Sequence, residues 1–485
     1  MRSKVRGGAR APVSPVAPPG MPPGVQAAPR LRSWAFCAVL VLAACTPGMP
    51  YQRPEQRLPD RYGLLVPVAA PAAEDRHWWR AFGDPVLDGL VTAALEGNLS
   101  LAEARARLAE AEAQAMRAGA ARIGGDGRLE LRRANPDGEQ TAEAGVSVAL
   151  DLSGGRGAEW RAALARLEAA RAAEADARRL LVADLAATYV DLRFFQARQQ
   201  QRQEDHRSRQ RTLNDISAQV EAGAATELDR IRARALLAET RAELPRLDAA
   251  VLRQRNRIST LLGRPAGDLG LSLAYGGRQP LPRGLPRLGV PADLLRNRPD
   301  IARAERLYAA AVSDIDTAEA ARYPSLSLSG LIRAPLAGGG TGNTLAAAVT
   351  LPLLSQPALA AGAQAARARA AAALAQWRRA VITAVEEVEN ALAALQGAHR
   401  AAQAAGQAVA LNAEALTLTR RVIEERGNVT TLDLLDRERA VSEARGLLAQ
   451  TRREVGLEYV ALRTALGLGF AWETLEGGTP AATAP

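Results

Sequence analysis

The sequence predicts an α+β fold in which long antiparallel helices, present in two tandem copies, are joined to four strands of the kind found in membrane barrels. One observation is a stretch from Ala158 to Ala222 that contains neither Gly nor Pro. As a single helix rising about 1.5 Å per residue it would be roughly 100 Å long, which exceeds what a globular core requires. A similar pattern recurs later in the chain, and each copy contains two short segments that alternate between apolar and polar residues.

Each rod is expected to pair with other helices along an apolar seam. The seam of the first rod has the four-then-three spacing of a coiled coil and comprises Leu181, Leu185, Thr188, Leu192 and Phe195. Gly223 ends this rod, and a second helix follows from Thr226 to Leu262, bent at Pro245. A shorter helix, from about Leu99 to Arg122, precedes the rod. The two shorter helices together nearly match the rod in length, so they are predicted to stack end to end as its antiparallel partner.

Two sets of matching residues indicate a tandem duplication. With a shift of 204 residues, Gly223, Thr226, Leu228, Asp229 and Gly263 fall on Gly427, Thr430, Leu432, Asp433 and Gly467. The same shift keeps a heptad phase, because Leu237, Leu244, Val251 and Ile258 fall on Val441, Leu448, Val455 and Leu462. The sequence therefore predicts two structural repeats, 99–263 and 299–467, with a linker at 264–298 and a C-terminal tail at 468–485.

The N-terminal region predicts export and a lipid anchor. Residues 1–44 form the predicted leader, whose apolar run at 34–44 is too short to span a bilayer but fits the core of a signal peptide. The run ends in Leu42-Ala43-Ala44-Cys45, which resembles the lipobox of bacterial lipoproteins, where the Cys is acylated and becomes the mature N-terminus. Residues 45–98 would then form a lipid-anchored N-terminal segment. The alternative is a signal peptide that contains an incidental Cys.

Composition and motifs exclude several other functions. Removal of the leader takes away six basic residues and lowers the formal net charge from +10 to +4. The remaining Arg alternate with Glu and Asp, as on a solvated helix surface, so no nucleic-acid partner is expected. His77, His206 and His399 are scattered, and no cluster has the spacing of metal ligands. Because a nucleophile motif is also missing, the chain is predicted not to be an enzyme, to bind no metal, and to carry no cofactor other than the lipid on Cys45.

Four segments alternate with the period of two that a strand requires. Their apolar faces are formed by Leu129 and Leu131; by Val146, Val148, Leu150 and Leu152; by Leu326, Leu328 and Ile332; and by Leu345, Ala347, Val349, Leu351 and Leu353. Four strands cannot close around a lumen, and open edges cannot lie in lipid, so the barrel must be shared between chains. Two chains would give eight strands filled by side chains, and three would give twelve, which could enclose water. The alternative is a soluble hairpin that caps a coiled coil.

Three motifs carry a family resemblance: Pro50-Tyr51-Gln52-Arg53-Pro54; Trp78-Trp79-Arg80-Ala81-Phe82-Gly83-Asp84-Pro85-Val86-Leu87; and Arg298-Pro299-Asp300-Ile301. Together with the duplication, they resemble the outer membrane factors, the TolC-like channels of tripartite efflux systems, in their NodT-type lipoprotein branch. The resemblance selects a homotrimer with a long α-helical barrel and a shared 12-stranded β-barrel. It implies a passive exit duct for drugs and other small molecules, lipid-anchored in the outer membrane and extending into the periplasm. Its partners would be outer-membrane lipid, a periplasmic adaptor (membrane fusion) protein and an inner-membrane RND pump.

The same resemblance places a gate and a docking site at the periplasmic tip. The gate would comprise Leu432, Asp433, Asp436 and Arg439, with Leu432 as an apolar constriction and with Asp436 and Arg439 in a polar ring of salt bridges. Adaptor hairpins would dock at the tip turns marked by Gly223 and Gly427. Symmetry-related Asp side chains in a narrow pore repel unless they are paired, so breaking the pairs should favour opening. The alternative is a run of ordinary helix-surface charges, in which Asp436 and Arg439 are spaced for a plain intrahelical pair.

Two further functions stay open on sequence alone. The first keeps the fold but exports proteins, as a type I secretion channel. The second is a periplasmic coiled-coil scaffold lipoprotein without a pore. One detail also departs from the family pattern: Leu354-Ser355-Gln356-Pro357 stands where an Asp-Gly-Gly-like turn is expected, and its first-unit counterpart is Ser153-Gly154-Gly155-Arg156. The second strand-to-rod elbow is therefore expected to differ in shape.

Overall fold

The computed structural model describes residues 51–63, 73–133, 140–267, 273, 278–284, 289–336, 338–426 and 430–467. The predicted leader, Cys45, Gly427 and the tail beyond Gly467 lie outside the described residues. The helices are α1 (Pro85–Gly97), α2 (Leu99–Ala120), α3 (Gly155–Glu221), α4 (Glu227–Leu261), α5 (Leu294–Asn297), α6 (Pro299–Ala320), α7 (Gln356–Arg426) and α8 (Thr431–Ala465). The strands are β1 (Gly125–Arg133), β2 (Gln140–Leu150), β3 (Ser325–Pro335) and β4 (Gly342–Thr350).

Two continuous rods dominate the structure, as predicted. Helix α3 has 67 residues and α7 has 71, so each is about 100 Å long. Four of the five predicted seam residues of α3 are buried, and Phe195 is half-buried. Helix α4 is continuous through Pro245. None of these helices, within the part of the chain that is described, combines the length with the hydropathy of a membrane-spanning segment.

The shorter helices stack end to end beside the rods, and the two copies use the same glycine geometry to do so. Gly263, after α4, and Gly467, after α8, have φ values of 73° and 71°. A side chain on Gly263 would collide with the carbonyl oxygen of Gly97, and one on Gly467 with that of Asn297. Each junction therefore requires a glycine for two reasons: its backbone is left-handed, and the two helix ends approach too closely for a side chain.

A polar side chain ties each junction together. Asn98, the N-cap of α2, donates from Nδ2 to the carbonyl oxygen of Leu261 at 2.9 Å. In the second copy Arg298 takes this role and donates from Nη1 to the carbonyl oxygen of Ala465 at 3.0 Å. Both side chains are buried, and both satisfy a carbonyl that the end of the returning helix would otherwise leave without a partner. The duplicated units thus preserve the contact while changing the residue that makes it.

The strands form one antiparallel sheet in the order β1-β2-β3-β4. Their register aligns the predicted apolar faces, since Leu129 pairs with Ala144 and Ala144 with Ile332, while Val146 pairs with Gly330 and Gly330 with Leu345. This common face is exposed, with Leu129 at 80% and Leu345 at 87%. Within the described residues, β1 and β4 each pair on one side only. The sheet therefore has an apolar face and two open edges.

The main hydrophobic core lies around the helix junctions and includes the N-terminal aromatic motif. Trp78, Trp79 and Phe82 are buried there, and the ring of Phe82 packs edge-on against Tyr459 at 5.5 Å between centroids. Asp84 caps α1 by accepting from the amide of Val86 and also accepts from the Tyr189 hydroxyl at 2.5 Å. Burial and this hydrogen bond raise the pKa of Tyr189 above its usual range, so its hydroxyl stays a donor.

The expected difference in shape between the two strand-to-rod elbows is not found in their backbone hydrogen bonds. Leu152 N donates to Leu150 O at 3.1 Å in the first elbow, and Leu353 N donates to Leu351 O at 3.0 Å in the second. Both rods also begin with matching helical bonds, from Ala158 N to Gly154 O and from Leu359 N to Ser355 O. A Gly-Gly pair is not needed for this turn, because the second elbow forms the same bonds without one.

Candidate gate and docking tip

The end of the rods farthest from the sheet is built from the turns that lead into α4 and α8. Gly223 adopts φ of 73° and supplies the left-handed residue that ends α3. Thr226 and Thr430 then cap α4 and α8, each in a capping box with the Asp three residues later. Such a box satisfies amide groups that the first turn of a helix would otherwise leave unpaired.

Asp433, a predicted gate residue, is part of one of these caps. Its carboxylate accepts from the amide of Thr430 at 3.0 Å and from the Thr430 hydroxyl at 2.6 Å. Asp229 has the same contacts with Thr226 in the first unit. The hydrogen bonds from these threonines hold the pKa of both aspartates below the usual range. Asp433 therefore has a structural role at the start of α8, next to the predicted gate residues.

The other predicted gate residues share an exposed surface of α8. Leu432 is 41% exposed, and Asp436 and Arg439 are exposed as well. Asp436 and Arg439 form no ion pair with each other or with any other residue that the structure describes. The intrahelical pair that their spacing would allow is thus not formed, and both side chains are exposed charges on the surface of α8.

The buried face of α8 carries a polar contact that sequence reasoning missed. Glu438 is buried, and its Oε1 accepts from the Thr212 hydroxyl of α3 at 3.0 Å and from Arg420 Nη2 of α7 at 2.9 Å. Its Oε2 is also buried and accepts no hydrogen bond from any described residue. A single carboxylate therefore joins three helices, one of which belongs to the other helical hairpin.

One turn further along α8, Ser442 repeats this link. Its hydroxyl donates to Asp205 Oδ2 of α3 at 2.5 Å and accepts from Arg202 Nη1 at 2.8 Å. We call Asp205 and Thr212 of α3, with Glu438 and Ser442 of α8, the hairpin tie. The sequence does hold a signal for it, because Glu438 lies three residues before Val441 and so occupies a seam position where an apolar residue is usual.

A groove of about 1260 Å³ opens at the tip between the two hairpins. The first hairpin contributes Gln219 and Leu228 to its lining, and the second contributes Arg420 and Leu432. Leu228 and Leu432 correspond across the duplication, and both are exposed. The groove thus offers matched apolar side chains from both units, with charged side chains beside them.

Two rods of about 100 Å, a sheet with an apolar outer face and a polar tip together define an outer-membrane channel. The model of the family "Outer membrane efflux protein" matches residues 90–264 and 290–468. Nodulation protein T of Rhizobium leguminosarum bv. trifolii is 33% identical over 89% of this chain and 96% of its own length. The pyoverdine export outer membrane protein OpmQ of Pseudomonas putida is 30% identical over 89% of this chain and 96% of its own. The solved outer-membrane channel OprN matches with a TM-score of 0.79 at 28% identity, over 88% of this chain and all of its own.

The chain belongs to the outer membrane efflux protein family. It is the outer-membrane channel component of a tripartite efflux system, in which such channels work with an adaptor and an inner-membrane pump. It lies in the outer membrane, extends into the periplasm and is not an enzyme. The predicted resemblance, fold class and channel function are confirmed, and the scaffold without a pore is not supported.

Proposed function

We propose that three copies of the chain assemble into a passive exit duct with a 12-stranded barrel in the membrane. The observation that carries this proposal is the sheet, which has one continuous apolar face and two open edges. In lipid, an open edge leaves backbone groups without hydrogen bonds, each at a cost of several kcal/mol. Pairing β4 of one copy with β1 of the next removes every edge, and twelve strands leave room for a lumen that eight would fill.

The predicted lipid on Cys45 is part of the same proposal. Cys45 ends the apolar run of the leader, where a lipobox cysteine belongs. An acyl anchor there would hold the chain at the membrane in addition to the barrel. Incorporation of labelled palmitate into the wild type but not into Cys45→Ser would support the anchor, and equal labelling of both would contradict it.

At the periplasmic tip, we assign the constriction to Leu432, Asp436 and Arg439, whose exposed surface on α8 would face the pore axis in a trimer. Asp436 of one copy would pair with Arg439 of another, since neither forms an ion pair with a residue of its own chain that the structure describes. The hairpin tie would hold α8 against α3 in the closed state. Opening would then require two groups of contacts to break, one between copies and one within each copy.

The groove between the hairpins is the proposed docking site for the adaptor. It lies beside the turn at Gly223, and Leu228 and Leu432 contribute apolar side chains to a lining that also contains charged groups such as Arg420. The cargo is proposed to be small molecules delivered by an RND pump, because the P. putida relative is named for the export of pyoverdine, a small molecule. Transport would need no chemistry from this chain, since the pump would supply the energy.

Single-channel conductance in planar bilayers tests the duct and its gate together. Purified wild type is compared with Asp436→Ala plus Arg439→Ala, and Arg367→Ala, which breaks an exposed ion pair with Glu319 near the membrane end, serves as the matched control. A low wild-type conductance that rises only in the double variant is the expected result. If the double variant conducts as the wild type does, the gate does not lie at Asp436 and Arg439. If folded trimers of all three proteins conduct no current, the duct is refuted.

A further inference from the structure

The second strand-to-rod elbow exposes a run of large apolar side chains. Leu351, Leu353 and Leu354 follow β4 and are 53%, 72% and 100% exposed. Apolar side chains that are individually exposed are common on protein surfaces, but several adjacent ones usually mark a binding surface. We call residues 351–355 the second elbow.

The second elbow has a defined backbone. The bond from Leu353 N to Leu351 O closes a tight turn, and Ser355 Oγ donates to Pro352 O at 3.4 Å. Gln356, the first residue of α7, donates from Nε2 to the carbonyl oxygen of Arg322 at 2.8 Å and so fixes the elbow to the start of the neighbouring strand. These bonds fix the backbone from which Leu353 and Leu354 project, and both side chains are exposed.

The second elbow continues the apolar face of β4. Leu345 and Val349 lie on that face, Leu351 keeps the alternation one step beyond the strand, and Leu353 follows in the tight turn. From Gly342, where β4 begins, to Leu351 the extended chain covers roughly 31 Å at about 3.4 Å per residue, or about 23 Å in height at a tilt of 35–45°. The apolar band of outer-membrane barrels is about 25 Å tall, so the turn at Leu353 falls at its periplasmic rim.

Two neighbouring side chains fit the same level. Ser325 of β3 pairs with Thr350 at the end of β4, so Tyr323 and Arg322 lie at the height of the second elbow. Tyr323 is 39% exposed. Tyrosine rings and basic side chains are characteristic of the headgroup region, where an apolar body meets a polar surface.

The first elbow has less of this apolar character, because Leu150 and Leu152, the counterparts of Leu351 and Leu353, are only 39% and 38% exposed. Ser153 corresponds to Leu354, and Asp151 corresponds to Pro352. The Asp151 carboxylate accepts from the amides of Arg156 and Gly157 at 3.0 and 3.1 Å, and so caps α3. The two elbows thus share two backbone bonds and a pair of exposed leucines, but the first presents a carboxylate and a serine where the second presents Pro352 and Leu354.

We infer that the second elbow inserts Leu353 and Leu354 into the periplasmic leaflet of the outer membrane, where they contact phospholipid acyl chains just below the headgroups. This inference rests on the proposed barrel, whose lipid-facing surface it extends. In a trimer, the three second elbows would insert leucine side chains at the point where the barrel meets the helices. These side chains would resist displacement of the barrel along the membrane normal, in addition to any acyl anchor.

Depth-dependent quenching of a fluorescent label tests this inference. Leu354→Cys is labelled with an environment-sensitive fluorophore in full-length protein reconstituted into phospholipid vesicles. Nitroxide lipids that carry the spin label near the headgroup or near the chain end serve as quenchers, and iodide is used for the aqueous phase. Leu345→Cys is the control within the sheet and Leu411→Cys, exposed on α7, is the control in water. Labelled wild type corrects for Cys37 and Cys45.

At position 354 we expect quenching by the headgroup-proximal nitroxide to exceed quenching by the chain-end nitroxide by about twofold or more, with little effect of iodide. Quenching at 354 by iodide alone would place the second elbow in water, and quenching by none of the three would place it against another copy; either result overturns the inference. If position 345 also escapes both nitroxides, the sheet is not in the bilayer, and the proposed barrel itself fails.

Discussion

The most direct test of the hairpin tie is Glu438→Gln, which removes the charge from the tie while keeping the shape of the side chain. Glu438 accepts hydrogen bonds from Thr212 at 3.0 Å and Arg420 at 2.9 Å, and a longer one from Ser208 at 3.5 Å. Bonds to a charged group contribute about 1.5–3 kcal/mol each, and bonds to a neutral group about half of that. Because the Arg420 side chain is 48% exposed and can be solvated when released, we expect a total loss of about 1.5 kcal/mol, which is roughly a tenfold change in equilibrium constant.

If the tie is broken when the tip opens, this loss shifts the closed-to-open ratio by about tenfold toward the open form. Single-channel open probability in planar bilayers measures that ratio. Glu443→Gln is the matched control, because it removes a carboxylate from an exposed position on the same helix. Thr212→Val should reproduce part of the effect, and the two substitutions together should be less than additive because they remove one contact. An unchanged open probability in folded Glu438→Gln, or an equal rise in Glu443→Gln, would refute the reasoning.

Two further predictions concern the helix ends. Gly263→Ala should lower the melting temperature far more than Gly223→Ala. Both glycines have φ of 73°, so alanine at either position adds backbone strain of about 1 kcal/mol. Of the two, only Gly263 faces a backbone carbonyl, so alanine there also causes a collision. Acid should destabilise the tip, because folding lowers the pKa values of Asp229 and Asp433. The stability that these two carboxylates contribute is fully present above the pKa of an unfolded aspartate, about 3.9. It is lost as the pH falls through their lower pKa values in the folded chain. Amide hydrogen exchange in the first turns of α4 and α8 should therefore accelerate below about pH 4, and Asp433→Ala should show the fast exchange in α8 already at neutral pH.

The sequence was most informative where periodicity is long and its ends are marked. The absence of Gly and Pro predicted α3 to within three residues at its start, and Gly223 marked its end. Alternation with period two predicted which face of each strand is apolar, and the pairing of the strands confirmed it. Such patterns are local, so they need no knowledge of what lies across the fold.

The hairpin tie could not be predicted in the same way. Glu438 and Thr212 are 226 residues apart, and each alone resembles an ordinary polar side chain on a helix. Only the packing of α3 against α8 shows that their contact is buried. The elbows show the same limit. Their composition predicted different shapes, and the structure shows matching backbone bonds from Leu152 and Leu353, together with a left-handed Gly154 in the first elbow.

A trimer would place six helical hairpins at the tip, two from each copy, and differences between the two hairpins would reduce the symmetry of the closed tip from sixfold to threefold. Leu432 has an apolar counterpart in Leu228, so both hairpins can line the groove where an adaptor would dock. Asp436 and Glu438, however, correspond to Arg232 and Arg234 in the first unit, so these two carboxylates occur on the second hairpin only. In a ring of three copies the two hairpins would alternate, and carboxylates confined to the second hairpin would meet basic neighbours on the first. If the proposed trimer and gate hold, one set of hairpins would stay in place while the other set moves to open the pore.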